Sequence, residues 1–564
     1  MLKDVAQIHL QASQALLDGL VGAGLEHLVY SPGSRSTPLT LAALRNEQIS
    51  SSVAVDERSA AWLALGMARV SGRTVGLICT SGTAVANWHP AVVEADRQGI
   101  PLVLISADRP WELQDCAANQ TIDQAGIFGR HVRAFHQLSS PDRQDDAPRR
   151  LRALGRQLVR EALGVNRGPV HLNFQFREPL VPQIVPDRTP AVSVDPVLSP
   201  VVSLRPEALA ALARQLSQGK GLIICGPGDP VPEVLQLGEA CDAPVLADPL
   251  SGLRFLTSPG ATPLAAYDLF LRDETLCHAL RPDWILHFGG LPVSRSLQNW
   301  LGAQAQARYW WVNPQGRTLD LPGCSVETLA ASPGGLIQGL LEKRVSHGPG
   351  NWLEAWQEQE RRARELVRQA SLPLEIQVLR RLLDKLPEDS LLFLANSLPV
   401  RYFDACSGIR DKAVGVYGNR GASGIDGNLS TLAGLARAWQ GSGLAAGILG
   451  DLTFFHDLNA LSLCREQDVL LLLFNNGGGG IFDYLPQADL AEHEQGWRTP
   501  VPLNHDDLAA AFGIAYRQLN QPEDMDALLT ELVAEKGCRL LEIAIDARVS
   551  RQQYLEFTNR FAGN

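Results

Sequence analysis

The sequence predicts an α/β protein made of three doubly wound domains with parallel sheets. Two observations carry that prediction. Short apolar runs with the length of buried strands recur along the chain, and each feeds a polar or glycine-containing turn that opens a helix. At 564 residues the chain is also too long for one hydrophobic core. Two breaks divide it. Seven prolines between Pro179 and Pro206 disfavour helix and read as an extended linker. A second break falls at Ser346-His347-Gly348-Pro349-Gly350. The expected domains are therefore 1–185, 186–350 and 351–564.

The first domain opens on an amphipathic helix, MLKDVAQIHLQASQALL, with no cleavage-site pattern. His27 to Ser31 then reads as a strand feeding the turn Pro32 to Pro38. Ser51 to Val55 leads into Asp56-Glu57-Arg58 and a helix; Val75 to Cys79 leads into Thr80-Ser81-Gly82-Thr83; Leu102 to Ser106 leads into Ala107-Asp108-Arg109-Pro110. Four strands ending in polar turns place those turns on one sheet edge, where parallel sheets bind ligands. The middle domain repeats the style, with Gly226-Pro227-Gly228 and Gly289-Gly290 as turns. Neither completes a GxGxxG, so a structural role is expected there.

Composition narrows the function. A net charge of −11 argues against a nucleic-acid binder. No run of 18 apolar residues is present, so no membrane span is expected. Nine cysteines without CxxC pairs fit thiols in a reducing cytoplasm, the expected location.

The third domain carries the most informative stretch. Leu444 to Leu449 reads as a buried strand ending in Gly450-Asp451-Leu452; the next segment reads as a helix. Val469 to Phe474 is a second buried strand ending in Asn475-Asn476-Gly477-Gly478-Gly479-Gly480. A carboxylate, an amide carbonyl and a glycine-loop backbone then converge. These are hard oxygen ligands for Mg2+, whose shell a ligand phosphate completes, and glycine N–H groups can close around that phosphate. Two plain surface turns are the alternative.

Gly-Asp-x followed by Asn-Asn resembles the diphosphate motif of thiamine-diphosphate (ThDP) enzymes. Asn476 lies 25 residues after Asp451, slightly short for the motif, and Leu452 stands where a glycine is usual. Either Asn475 or Asn476 can supply the metal ligand. Asn476 is preferred, because the ligating Asn of that motif precedes a backbone-carbonyl ligand by two residues, here Gly478.

Other residues read blandly in isolation. Glu57 at a strand-to-helix entrance complements a helix N-terminus. Arg35, Arg109, Arg401 and Arg420 in turn-like segments read singly as solvated; together they can dock several carboxylates in fork geometry. His89 reads as a helix-surface or packing residue rather than an acid/base.

SPGSRSTPLTLAA, DERSAAWLALGMA, TSGTAVAN, SADRPWELQDCAANQTIDQ, NSLPVR, NRGASGIDG and GDL…NNGGGGIFDYLP, in this order, resemble the 2-succinyl-5-enolpyruvyl-6-hydroxy-3-cyclohexene-1-carboxylate synthase family. The resemblance covers the first and third domains nearly end to end. It implies a ThDP- and Mg2+-dependent (or Mn2+-dependent) transferase. Such an enzyme decarboxylates 2-oxoglutarate and adds the succinyl carbanion to isochorismate in menaquinone or phylloquinone biosynthesis. It further implies a homodimer or homotetramer with interfacial active sites.

The resemblance also implies residue roles. Glu57 relays the proton at N1′ of the cofactor's aminopyrimidine. Asp451, Asn476 and the Gly478 carbonyl hold the metal. Asn396, Ser397, Gly450, Leu452, Gly479 and Ile481 line the cofactor, and Ile425 props it. Ser34, Arg35, Arg109, Gln120, Arg401 and Arg420 bind the carboxylates and hydroxyls of the substrates. Ile481, Phe482 and Leu485 form an apolar wall. Arg295 adds a basic contact from the middle domain, where the family pattern has a basic pair and this chain has Ser294 before it.

Overall fold

The protein is described by a computed structural model covering residues 2–142, 146–184, 190–229, 231–256, 262–321, 323–345 and 350–562. The second expected break, apart from Gly350, and Pro186 of the first lie outside these residues.

Three parallel sheets account for the strands. The first contains β1 (His27–Tyr30), β2 (Ser50–Val53), β3 (Val75–Cys79), β4 (Leu102–Asp108), β5 (Phe135–Leu138) and β6 (Val170–Gln175). The second contains β7 (Gly221–Cys225), β8 (Val245–Ala247), β9 (Trp284–Phe288), β10 (Arg308–Val312) and β11 (Val326–Leu329). The third contains β12 (Ser390–Leu394), β13 (Val414–Tyr417), β14 (Ala445–Gly450), β15 (Val469–Asn475), β16 (Ala515–Leu519) and β17 (Arg539–Ala544).

The first sheet runs β2-β1-β3-β4-β6-β5 and the third β13-β12-β14-β15-β17-β16, the same order twice; the second runs β11-β10-β9-β7-β8. In each the chain leaves its first strand to one side and returns on the other, which opens a crevice at the carboxyl ends of β1/β3 and of β12/β14. Arg35 lies on the turn after β1, Arg401 on the helix after β12 and Gly450 at the end of β14, whereas Arg109 follows β4, Arg420 follows β13 and the glycine turn 477–480 follows β15. β5 and β6 add two strands to the four expected, because the polar alternation of FHQL gives β5 no continuous apolar run. Pro206 is not linker but the first residue of helix Pro206–Leu216, where a missing N–H costs nothing. The single helix expected after Leu452 is three short pieces: Asp451–His456, Leu458–Ala460 and Leu461–Cys464. Among the described residues no helix is long and apolar enough to cross a membrane.

The chain forms two compact units: Met1–Pro200 with Asn419–Gln440 and His456–Gln467, and Val201–Gly418 with Gly441–Phe455 and Asp468–Asn564. Within the first, helix Glu57–Ser71 packs against helix Asn428–Ala438. A Cβ on Gly434 would stand 2.0 Å from the Leu63 carbonyl, and one on Gly66 2.2 Å from that of Thr431. Glycine at both positions lets the backbones touch. Gly434→Ala is expected to force the helices apart and destabilise the protein by about 1–3 kcal/mol; an unchanged urea midpoint would contradict this packing account.

Within the second unit, helix Trp352–Gln369 turns its apolar stripe onto the second sheet. The Trp352 indole donates to the Gly221 carbonyl at 2.7 Å, and Trp356 meets Phe270 and Trp300 edge-on. Arg254, fully buried, donates to the Ala247 carbonyl at 2.7 Å and to the Asp404 carbonyl at 2.7 Å, and also pairs with the Asp404 carboxylate. That ion pair anchors helix Leu398–Cys406, whose first turn carries Arg401.

Candidate active site

Two clusters of turn residues form, one in each unit. In the first unit Glu57 begins helix Glu57–Ser71, and the Asp56 carboxylate caps that helix by accepting from the Arg58 N–H at 2.9 Å. Asp56 therefore satisfies the helix end, and Glu57 stays half-buried with no hydrogen bond to its carboxylate among the described residues. Its negative charge adds to burial in raising the Cys79 thiol pKa.

The turn after β1 abuts the turn after β3: a Cβ on Gly33 would lie 2.3 Å from the Thr80 side chain. Ser34 is exposed, whereas Arg35 is 4% exposed and donates to the Phe176 carbonyl at 2.9 Å and to Glu178 at 3.0 Å. Its Nε is buried without a hydrogen-bond partner among the described residues. Arg109, at the end of β4, donates to the Ser81 hydroxyl. Burial, and then the charge of Arg35, lowers its pKa, against the opposing charges of Asp108 and Glu178. Gln120, left-handed at φ 52°, donates through Nε2 to the Ser81 carbonyl at 3.0 Å. Ser81 thus gathers Arg109 and Gln120, a role the sequence reading missed although it quoted the TSGT turn.

Arg420 and Ile425, both half-buried, lie on the loop before helix Asn428–Ala438. Glu94, fully buried, fixes that loop by accepting from the Gly421 N–H at 2.7 Å and the Ala422 N–H at 2.5 Å. A carboxylate on the apolar face of AVVEAD was the signal for it. His89 packs against Phe128 and His131 at 5.7 and 5.8 Å, as a packing residue should.

In the second unit Asp451 follows β14 directly. Its Oδ1 accepts from the Leu452 N–H at 2.8 Å and its Oδ2 from the Gly478 N–H at 2.6 Å. Burial raises its pKa, opposed by these bonds and by Arg498. The two asparagines differ. Asn475 donates to Glu542 at 2.7 Å, and its Oδ1 accepts from the Gly477 N–H at 3.2 Å. Glu542 also accepts from the Tyr516 hydroxyl at 2.7 Å and pairs with His505 at 3.1 Å. Burial pushes its pKa up, but hydrogen bonds from His505, Asn475 and Tyr516 outweigh that and hold it at about 2. Asn476 by contrast keeps a buried Oδ1 with no hydrogen-bond donor among the described residues. An orphan buried oxygen of this kind is costly unless a cation or donor meets it.

Arg498, almost fully buried and absent from the sequence reading, braces the glycine loop. It donates to the Asn476 and Gly477 carbonyls at 2.5 and 3.4 Å and to Asp483 at 3.1 Å, while its own carbonyl accepts from the Gly479 N–H at 2.7 Å. Gly478, at φ 124°, has no room for a Cβ, which would fall 2.0 Å from that carbonyl. Arg498→Gln is expected to cost about 2–4 kcal/mol of stability, because it takes one of two partners from the partly buried Asp483 carboxylate, which keeps His493, and a charged donor from two carbonyls. Thermal melting of the variant checks this, and an unchanged midpoint would dismiss the brace.

Gly450 and Leu452 flank Asp451; Gly479 is buried, while Ile481 and Phe482 are half-buried on the short helix Gly480–Tyr484, and Leu485 after it is 41% exposed. Asn396 is buried after β12, and Ser397 is held at φ 75°, a strained conformation for a non-glycine residue at a strand end. Exposed Arg401 donates to the Ser397 carbonyl at 2.5 Å. Arg295 is exposed at the start of helix Arg295–Gly302, capped by Ser294, whose hydroxyl is spent on Asp268 at 2.7 Å. The middle glycine turns are zipped to each other: the Gly226 N–H donates to the Phe288 carbonyl at 2.8 Å and the Gly290 N–H to that of Pro227 at 2.7 Å.

Family comparison matches this arrangement segment by segment. Residues 10–127 match the thiamine pyrophosphate enzyme N-terminal TPP-binding domain, 204–394 the middle domain, and 417–543 the C-terminal TPP-binding domain. The fold is thus that of a ThDP enzyme. A benzoylformate decarboxylase structure from Polynucleobacter necessarius shares the fold at a TM-score of 0.70 and 15% identity, covering 95% of this chain and 98% of its own. Among named relatives, the 2-succinyl-5-enolpyruvyl-6-hydroxy-3-cyclohexene-1-carboxylate synthase of Dechloromonas aromatica is 40% identical, covering 96% of this chain and 99% of its own. The synthases of the same name from Geobacillus kaustophilus (39%; 94% of each chain) and Halorubrum lacusprofundi (37%; 96% and 95%) are similarly close. The chain belongs to the 2-succinyl-5-enolpyruvyl-6-hydroxy-3-cyclohexene-1-carboxylate synthase family.

Proposed function

We propose that this chain is a ThDP-dependent carboligase that decarboxylates 2-oxoglutarate and joins the succinyl unit to isochorismate, in menaquinone or phylloquinone biosynthesis. When bound, ThDP supplies a nucleophilic carbon and an electron sink, through which a 2-oxo acid loses CO2 and its acyl carbon turns nucleophilic. Glu57 holds and moves the proton at N1′ of the aminopyrimidine, and its uncommitted carboxylate suits that task. Asp451, Asn476 Oδ1 and the Gly478 carbonyl would hold Mg2+ (or Mn2+), which neutralises the diphosphate. The orphan Asn476 oxygen favours Asn476 over Asn475, whose side chain is committed to Glu542. Asn396, Ser397, Ile425 and the Gly479–Ile481 backbone line the cofactor; Ile481, Phe482 and Leu485 exclude water from the acyl unit.

The observation that carries the substrate class is the Arg35–Arg109 pair. Arg35 is buried and Arg109 half-buried, the repulsion between them is offset in part by Asp108 and Glu178, and a polyanionic substrate would add further counter-charge. Arg35 already holds the Glu178 carboxylate, so it takes carboxylates in this setting. Arg401 orients 2-oxoglutarate; Arg35 and Arg109, with Ser34, Gln120 and Arg420, orient isochorismate, and Arg295 adds a peripheral basic contact.

The active species is a homodimer or homotetramer in which Glu57 of one protomer meets the diphosphate site of another, and the expected location is the cytoplasm. Arg35→Ala and Arg401→Ala are expected to bind ThDP normally but lose about 2–4 kcal/mol of transition-state stabilisation, or roughly 30- to 1000-fold in kcat/KM. Varying each substrate separately tests the division of labour, with Arg401→Ala acting on the 2-oxoglutarate term and Arg35→Ala on the isochorismate term. Full efficiency in both variants would remove the arginines from substrate binding.

A further inference from the structure

Away from these clusters, the second unit contains a cavity of about 350 Å³. Five arginines line it. Arg361, Arg364 and Arg368 project from helix Trp352–Gln369 at spacings that share one face; Arg380 lies on helix Leu374–Lys385, and Arg410 follows helix Leu398–Cys406. A single carboxylate, Glu365, lines the same cavity.

Part of this charge is balanced: Arg361 pairs with Glu358 at 2.7 Å, Arg368 with Glu365 at 2.7 Å and Arg410 with Asp384 at 3.1 Å. Two arginines are in no ion pair among the described residues. Arg380, half-buried, donates to the Val367 carbonyl at 3.2 Å and has no carboxylate within ion-pair distance among the described residues, although the charge of Asp384 still acts on it. Burial lowers its pKa, as does the charge of Arg410. Arg364, exposed, makes no hydrogen bond or ion pair among the described residues, and its charge acts on the buried Glu360 carboxylate. The floor is apolar, formed by Ala265, Ala266, Val367, Ala405 and Cys406, and burial holds the Cys406 thiol neutral, with a pKa of about 12. A half-buried Arg380 and an exposed Arg364, neither in an ion pair among the described residues, beside an apolar floor in a cavity of small-ligand size are the makings of an anion site.

We propose that this cavity is an effector site for a small organic polyanion with an apolar body, held by Arg364 and Arg380 with Arg410 beside them. Its action would follow from what it touches. Ala405 and Cys406 end the helix whose first turn carries Arg401 and whose N-terminus is the strained Ser397, so the ligand and Arg401 bear on opposite ends of one rigid element.

Titration calorimetry on the full-length enzyme, with ThDP, Mg2+ and saturating 2-oxoglutarate, tests this using benzene-1,3,5-tricarboxylate and phenyl phosphate as probes. Saturable binding that weakens with salt is expected. Binding of the first probe alone assigns carboxylate chemistry, and of the second alone phosphate chemistry. Arg364→Gln and Arg380→Gln should each weaken binding roughly tenfold, as loss of one charged hydrogen-bond partner does, while Arg380→Lys and Arg35→Ala retain it. A bound probe should change the KM for 2-oxoglutarate in the wild type and not in the double Arg364→Gln/Arg380→Gln variant, whose kinetics without probe should match the wild type.

The proposal is overturned if neither probe binds saturably, if the double variant binds as well as the wild type, or if Arg35→Ala abolishes binding. It is equally overturned if the KM change persists in the double variant, or if binding leaves KM unaltered.

Discussion

Replacing Glu57 by Gln is expected to slow turnover by about 10²–10⁴-fold while leaving ThDP affinity unchanged. The substitution keeps the shape of the side chain and removes only its ability to hold and release a proton. Helix Glu57–Ser71 should survive it, because its cap is the Asp56 carboxylate and its packing rests on Gly66 and residues beyond. The diphosphate turns belong to the other compact unit, so cofactor binding reads independently of the proton relay. Following exchange of the cofactor's C2 proton for deuterium isolates the step. Exchange and turnover near wild-type rates would take Glu57 out of the mechanism.

Asp451→Ala is expected to weaken metal-dependent ThDP binding by about 3–5 kcal/mol, or roughly 10²–10⁴-fold, the scale of stranding a partly buried charge. Two effects combine. The metal loses its only charged protein ligand in the proposed set, and the Gly478 N–H loses the acceptor that sets the glycine loop at 2.6 Å. The neighbouring asparagines separate these effects. Asn476→Ala removes the orphan oxygen and should weaken the metal with little change in melting temperature. Asn475→Ala breaks the bond to Glu542 and should lower stability instead. Calorimetric titration of ThDP with and without Mg2+ gives the comparison, and unchanged affinity in Asp451→Ala would mean the turn holds no metal.

Much of this was legible in the sequence because the strands are buried on both faces. Runs such as VGLIC, VLLLLF and LAAGIL have no polar interruption, so the turn after each is marked by the first polar or glycine residue. The repeated architecture of the first and third sheets followed from the same signal and is matched by an identical strand order. Fork-bearing arginines in short turns were visible for the same reason.

Other features had no local signature. Arg498 reaches the glycine loop across 22 residues of irregular chain, a contact no periodicity announces. Helix Trp352–Gln369 shows a charged face in sequence, but nothing there says which core takes its tryptophans; the structure sets Trp352 against Gly221 of β7 and Trp356 against Phe270 and Trp300 on helices of the middle domain. Helix Asn428–Ala438 follows strands of the third sheet in the chain yet packs on helix Glu57–Ser71, because the Gly66–Gly434 contact depends on two glycines far apart in sequence. β5 escaped notice because its edge position leaves two of its four residues exposed.

The central claim is the pairing of a dicarboxylic 2-oxo acid with an anionic acceptor in one cleft. Incubating the enzyme with ThDP, Mg2+, 2-oxoglutarate and isochorismate, and measuring isochorismate loss together with CO2 release, tests it most directly. Equimolar consumption of isochorismate and release of CO2, with pyruvate a poor replacement for 2-oxoglutarate, is the expected result. Release of CO2 without loss of isochorismate, or a preference for pyruvate, would contradict it.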